Sequence, residues 1–273
     1  MTKKFHIDVQ EILNAKAPKV AKKIPHFVVK ALAKLICQDD INKFLAQTGD
    51  ATGVDFMNNA VKYFDIRLQI SGEENLPDFD TKCIFASNHP LGGMDGICLS
   101  SYLGNQYNKQ IKYLVNDILY FIEPLQNIFV PINKHGAQGR AAAQALNEAF
   151  LSENQIITFP AGLCSRKTKG IICDPEWKKM LVVKAIEYKR NVVPVYFEAK
   201  NSNLFYNIAN IRKRIGLKFN IEMLFLSGEL FKAQGKTFTI HFGKPVPWQT
   251  FDSSKSPQAW TNWVKHTVYN TVR

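Results

Sequence analysis

No uncharged apolar run in this sequence reaches the roughly 18 to 20 residues that a helix needs to cross a bilayer. The chain is therefore expected to be soluble or surface-bound, not integral. Behind the charges of Met1-Thr2-Lys3-Lys4-Phe5-His6-Ile7-Asp8 there is no apolar core, so this stretch does not read as a secretory signal. Cys-x-x-Cys pairs and tight His/Cys clusters are missing: the five cysteines (Cys37, Cys83, Cys98, Cys164, Cys173) and six histidines are scattered. A structural zinc site is not supported, and no metal is expected. Cys83 and Cys98 lie in apolar segments, where a free thiol packs as a small hydrophobe, and this usage suits a reducing, cytoplasmic setting. No serine stands in a Gly-x-Ser-x-Gly frame. Gly-Lys-Thr at 235–237 is a decoy, because six residues separate Gly228 from Gly235 where a phosphate-binding loop needs four, and a strand follows instead of a helix. Helix-turn-helix, zinc-module and stacking-aromatic patterns are absent too, so nucleic acid is not the expected partner.

What is present points elsewhere. With 273 residues, 46% hydrophobic and 21% charged, the chain can bury a substantial core. Lys and Arg total 35 against 23 Asp and Glu, a formal charge of +12, so the working surface meets something anionic: a phospholipid surface or an acidic protein. Residues 9–47 carry a helical pattern in which Ile24, Phe27, Val28, Ala31, Leu32, Leu35 and Ile36 recur at three- and four-residue spacing beside Lys16, Lys19, Lys22, Lys23, Lys30 and Lys34. Such a basic amphipathic stretch suits a membrane interface; docking on the core with a solvated lysine face is the alternative. The helix is expected to continue over 39–64, followed by a strand at 66–71 and a turn at 72–77. We place a soft boundary near residue 75, giving an amino-terminal helical, membrane-facing region (1–75) and a second domain (76–273).

Apolar runs at 83–87, 111–115, 128–132, 155–159 and 192–197 alternate with helical patterns, notably 139–152 and 177–190. That alternation predicts an α/β domain with a mostly parallel central sheet flanked by helices. A late strand at 237–242 and a terminal helix at 257–272 complete it. After the run at 83–85 comes Ala86-Ser87-Asn88-His89-Pro90-Leu91-Gly92-Gly93-Met94-Asp95-Gly96, a histidine and a carboxylate in a Gly/Pro loop at a strand end. A neutral histidine takes a proton from a hydroxyl when a carboxylate fixes its tautomer. On its own the pair reads equally as a structural histidine with a helix-capping aspartate. Three further strands lead to comparable loops: Val130-Pro131-Ile132-Asn133-Lys134, Phe159-Pro160-Ala161-Gly162 running into Leu163-Cys164-Ser165-Arg166-Lys167, and Val193-Pro194-Val195-Tyr196. In an open α/β sheet such loops meet in one crevice.

These four blocks, in this order, resemble the glycerolipid acyltransferase superfamily, which includes the 1-acylglycerol-3-phosphate acyltransferases; the match covers about residues 80–200. His-Pro-Leu-Gly-Gly-x-Asp-Gly, Phe-Pro-Ala-Gly with Ser-Arg following, and Pro-Val-Tyr-Phe-Glu-x-Lys-Asn-Ser look like the branch that O-acylates lyso-ornithine or lyso-glycine lipids, some members of which are labelled hemolysins. The resemblance implies His89 as general base and Asp95 as its orienting partner. It also implies a substrate site drawing on Asn88, Gly92, Gly93, Lys134, Arg140, Phe159, Pro160, Gly162, Ser165 and Arg166. The implied reaction is acyl transfer from acyl carrier protein or coenzyme A to a lyso-lipid hydroxyl at an anionic membrane surface, on the cytoplasmic leaflet, with backbone N–H groups of the Gly-rich loops on the oxyanion and no cofactor. Lysophosphatidic acid acylation is the enzymatic alternative, and a non-enzymatic lipid-surface binding protein the other. Three departures stand out. Five residues, not four, separate His89 from Asp95, so the loop must bulge at Gly92 and Gly93. Lys134 replaces an arginine, and Ala161 replaces a glutamate, which favours an acceptor headed by an N-acylated amino acid over a glycerol phosphate. Lys134, Arg140 or Arg166 would then hold the head-group carboxylate.

Overall fold

The computed structural model describes residues 6–16, 18–116, 119–132 and 137–272. Among the described residues, α1 (Val9–Lys16), α2 (Pro18–Ala21), α3 (His26–Leu35) and α4 (Gln38–Thr48) come first, then α5 (Gly53–Tyr63) leads into β1 (Arg67–Ser71). The expected continuous helix is broken at Pro18 and at Pro25, each of which lacks the N–H that a helix interior uses. Cys37, between α3 and α4, adopts a left-handed backbone (φ 55°) that ends one helix and starts the next at a new angle. The apolar stripe read from the sequence is thinly covered: Ile24, Val28, Leu32, Leu35 and Ile36 are half-buried and Phe27 and Ala31 exposed, as are Lys22, Lys23, Lys30 and Lys34, while the one buried residue of α3 is Val29, beside the stripe.

The remainder alternates as the runs predict: β2 (Cys83–Ser87), α6 (Met94–Gln106), β3 (Ile111–Val115), β4 (Phe129–Pro131), α7 (Ala137–Leu151), β5 (Gln155–Thr158), a small β6 (Arg166–Thr168) and β7 (Ile171–Cys173) ribbon, α8 (Met180–Glu187), β8 (Asn191–Glu198), α9 (Asn203–Arg214), α10 (Leu226–Phe231), β9 (Thr237–Phe242) and α11 (Pro257–Asn270). Seven strands form one sheet in the order β1-β9-β8-β2-β5-β3-β4. Every junction is parallel except β8 with β9. The boundary drawn near residue 75 thus falls inside the sheet, with β1 on one side of it bonded to β9 on the other.

Strand residues alternate between two apolar layers, as side chains on a pleat must. Cys83, Phe85, Tyr113, Ile157, Val195 and Phe197 pack with α5 and α6. Ile84, Ala86, Leu114, Ile156 and Val192 pack with Trp177 and with Leu181, Val182, Val264 and Val268 of α8 and α11. Both faces are covered, which is why the strands read as unbroken apolar runs and not as alternating ones. Helix α6 lies so close to the sheet that a Cβ on Gly96 would sit 2.5 Å from the Tyr113 hydroxyl, so only glycine fits there. Two caps are legible in sequence: the hydroxyls of Ser202 and Ser256 accept from Phe205 N and Ala259 N at the starts of α9 and α11. Among the described residues, no helix is long and apolar enough to cross a membrane.

Candidate active site

Because β2, β5 and β8 run parallel, their carboxyl ends deliver Asn88-His89, Phe159 and Glu198 to the same end of the sheet. At the end of β2 the Asn88 amide takes over from the ladder: its Nδ2 donates to Phe197 O at 3.0 Å, and its Oδ1 accepts from Phe197 N at 2.6 Å. The loop then turns back on itself so that His89 Nδ1 meets Asp95 Oδ2 at 3.0 Å across the five intervening residues. Gly92 absorbs the extra residue, with a φ of 76° and no room for a Cβ, which would lie 2.9 Å from Leu226 Cδ1. Gly93 has a negative φ and room for a Cβ, so the bulge rests on Gly92.

Asp95 is fully buried in the first turn of α6, where a negative charge is favoured. Its Oδ2 also accepts from Leu91 N (2.8 Å) and Gly92 N (3.2 Å), and its Oδ1 from Gly96 N (2.9 Å). Burial alone would raise its pKa, but His89 and these amides together hold the carboxyl below the usual range. For His89, burial works against the charged ring; the charge of Asp95, its hydrogen bond and the charge of Asp174 outweigh burial and the opposing Arg166, and the net pKa is raised above 6.5. With Nδ1–H given to Asp95, the lone pair of the neutral ring is on Nε2. The ring stacks on Phe159 at 4.2 Å between centroids and its side chain keeps 13% of its surface exposed. A neutral histidine with one nitrogen anchored by a buried carboxylate, and the other making no hydrogen bond among the described residues, is equipped to accept a hydroxyl proton.

A family model described as Acyltransferase matches residues 11–272. The chain belongs to the acyltransferase family. Two curated relatives are each named lyso-glycine lipid O-acyltransferase. That of Bacteroides thetaiotaomicron is 50% identical over 97% of both chains. That of Phocaeicola vulgatus is 49% identical over 97% of this chain and 95% of its own. The crystal structure of the 1-acyl-sn-glycerophosphate acyltransferase PlsC from Thermotoga maritima aligns over 78% of this chain and 75% of its own, at 15% identity and a TM-score of 0.43, too distant a likeness to carry an argument.

In this acyltransferase the sequence-derived site residues separate into groups. His89, Asp95, Gly92 and Phe159 come together as described. Asn88 does not face a ligand: it is buried and both ends of its amide are bonded to the backbone of β8, so it fixes the loop. Ser165 is likewise buried, donating from Oγ to Asp174 and from its N–H to His89 O at 2.7 Å. The Arg166 guanidinium is also committed, donating to Cys164 O and pairing with the buried Glu222 at 3.0 Å with only 18% of the side chain exposed. It is neither a free carboxylate ligand nor an unpartnered surface charge. Arg140 is exposed on α7. Pro160 uses its carbonyl to accept from Lys178 N, and Gly162 turns the chain with a φ of 65°. Lys134 lies outside the described residues. The amides of Leu91, Gly92 and Gly96 are all aimed at Asp95, so this part of the Gly-rich loop does not supply the expected oxyanion donors.

Sequence reasoning missed Asp174. The ribbon of β6 and β7, closed by Lys169 and Gly170 at positive φ, sets Arg166 opposite Cys173 and so brings Ser165 beside Asp174. The buried Asp174 carboxylate accepts from Ser165 Oγ (2.6 Å), Trp177 Nε1 (2.9 Å) and His89 N (3.1 Å). Burial pushes its carboxyl up, although these donors pull the other way. The signal available was a glycine between two short β-prone triplets, 166–168 and 171–173. Asp174→Ala would leave three inward-facing donors unmatched at about 1–3 kcal/mol each, so a loss of at least about 3 kcal/mol is expected from urea unfolding. A loss below about 1 kcal/mol would show that the ribbon relaxes and that Asp174 does not hold the loop.

A groove of about 610 Å³ lined by Ser71, Asn75, Phe242, Lys244, Trp263 and His266 lies at the other end of the sheet, because β1 and β9 run opposite to β2. It is separate from His89 and plays no part in the chemistry above.

Proposed function

We propose that this acyltransferase moves a fatty acyl group from a thioester, acyl carrier protein or coenzyme A, to the hydroxyl of a lyso-glycine lipid or a close lyso-aminolipid such as a lyso-ornithine lipid. The observation that carries the reading is the anchored His89–Asp95 pair, in a chain half identical along its length to two proteins named for that reaction. As the lipid oxygen attacks the thioester carbonyl carbon, its proton passes to His89 Nε2. The C–S bond of the tetrahedral intermediate then breaks, and the imidazolium returns the proton to the leaving thiolate. Atoms and charges balance with the acyl thioester as co-substrate and no resident cofactor. Asp95 stays ionised throughout, orienting the ring and supporting its positive charge.

A lipid acceptor brings the enzyme to a membrane. The half-covered apolar stripe of α3, with Phe27 73% exposed beside Lys22, Lys23 and Lys30, suits the anionic inner face of the cell membrane as a peripheral site of work. The acceptor assay decides the substrate: purified protein with an acyl thioester is offered lyso-glycine lipid, lyso-ornithine lipid and lysophosphatidic acid in turn. We expect kcat/KM for an aminolipid to exceed that for lysophosphatidic acid by about tenfold or more, ~1.4 kcal/mol of discrimination. Preferential turnover of lysophosphatidic acid would transfer the assignment to phospholipid synthesis, and no turnover of any acceptor would favour a lipid-binding protein.

A further inference from the structure

Helix α9 has two apolar stripes where packing needs one. Phe205, Tyr206 and Ala209 face inward and are buried. Leu204, Ile208, Ile211 and Ile215 recur at i, i+4, i+7 and i+11, the spacing of a single helix face, and point away from the core. Leu204, Ile211, Ile215 and the nearby Phe219 are between 54% and 69% exposed, and Leu217 is exposed as well. Contiguous exposure of large aliphatic and aromatic side chains is uncommon on a soluble surface and marks a place where something docks. The charges name its sign: from Ala199 to Ile221 the chain holds Lys200, Arg212, Lys213, Arg214 and Lys218 and no Asp or Glu. Arg212 is taken up by Glu222 at 2.8 Å, while Lys200, Lys213, Arg214 and Lys218 are exposed.

We infer that residues 200–219 form a membrane-docking surface, with the Leu204–Ile215 stripe and Phe219 entering the acyl region of an anionic bilayer and the four exposed cations resting on its head groups. It rests on the lipid acceptor proposed above for its purpose, though not for its test. A second copy of this chain fits poorly, because an isologous contact would set the same run of cations against itself. The surface is joined to the catalytic loop at several points. Asn201 Nδ2 donates to Pro90 O at 3.1 Å, Leu226 of α10 lies against Gly92, and Glu222 ties Arg212 to Arg166, next to the Ser165 that bonds His89 O. Docking here sets the active-site end of the sheet at the membrane, where a lyso-lipid hydroxyl rises only a short way out of the leaflet.

Co-sedimentation with vesicles of phosphatidylcholine plus phosphatidylglycerol, against phosphatidylcholine alone, tests the surface using the full chain. Two variants, Ile215→Gln with Phe219→Gln and Lys213→Gln with Arg214→Gln and Lys218→Gln, change only exposed side chains, and circular dichroism checks that both fold. Each is expected to lower partition onto anionic vesicles about tenfold, with turnover of detergent-dispersed acceptor kept within about twofold. Phe219→Trp is expected to show quenching by brominated acyl chains beyond that of the four native tryptophans. Wild-type partition by both variants, or an unquenched indole in Phe219→Trp, overturns the proposal. So does a raised KM for acyl carrier protein with vesicle binding intact, which would make the surface a carrier-protein dock. Vesicle binding is read without turnover, so failure of acyl transfer and failure of docking show separately.

Discussion

Replacing His89 by alanine is expected to lower acyl transfer by about 10²- to 10⁴-fold, the usual contribution of a positioned general base. The ring's Nδ1 is held by Asp95, and its Nε2 is the atom left to take the proton. The substitution removes the stack on Phe159 and the hydrogen bond to the buried Asp95, but leaves Asp95 three backbone donors, from Leu91, Gly92 and Gly96. The loop should therefore keep its course, with a stability loss of about 2–4 kcal/mol from the stack and the lost hydrogen bond to a buried charge. Single-turnover transfer to lyso-glycine lipid, measured beside thermal melting, separates the two effects. Transfer within about tenfold of wild type would show that another group takes the proton.

The pH profile gives a second large effect. His89 accepts a proton only when neutral, and its folded pKa lies above 6.5, so activity should rise with pH through a midpoint above 6.5. Burial pushes that pKa down; Asp95, through its charge and its hydrogen bond, is the main opposing influence, assisted by Asp174 and countered by Arg166. Asp95→Asn removes the main opponent, and burial then dominates. The acid limb of kcat/KM should move to lower pH, while the plateau falls by about 10²- to 10⁴-fold because nothing then supports the imidazolium as it forms. With the asparagine oxygen in the Oδ2 position, Leu91 and Gly92 keep their acceptor, but the NH2 then faces Gly96 N, so a stability loss of about 1–3 kcal/mol accompanies the loss of charge and is read beside it by thermal melting. A limb that stayed put or moved upward would show that Asp95 does not govern the histidine.

How much of this was legible in the sequence differs by element. Most strands were readable because burial on both faces makes apolar runs, and β2, β3, β5 and β8 fall where the runs put them; β9 also falls at its expected place, although only its alternate residues are buried. The helices before β1 were read as continuous because three- and four-residue periodicity carries across the breaks; Pro18 and Pro25 were in plain view, whereas the left-handed Cys37 that parts α3 from α4 has no sequence signature. Within the site, the His89–Asp95 contact depended on one backbone angle at Gly92, which a spacing can demand but not supply. Asp174 escaped notice because its part is set by a tight ribbon in three dimensions. Arg166 was misread for a similar reason: its partner Glu222 is 56 residues further on, a separation no local pattern reveals.

The pairing of β1 with β9 also has a bearing on how the chain acquires its structure. Gln69 sits beside Thr239, 170 residues along, and among the described residues β1 has no other neighbour in the sheet. Contacts of such long range close slowly, since the loop entropy must be spent before the strands reward it. During synthesis, β1 emerges early and stays without its partner until most of the chain has followed, while β8 waits with one open edge. Until β9 slots between them, both strands are free to pair with another molecule, so the step that completes this sheet is also the one that protects the nascent chain from aggregation.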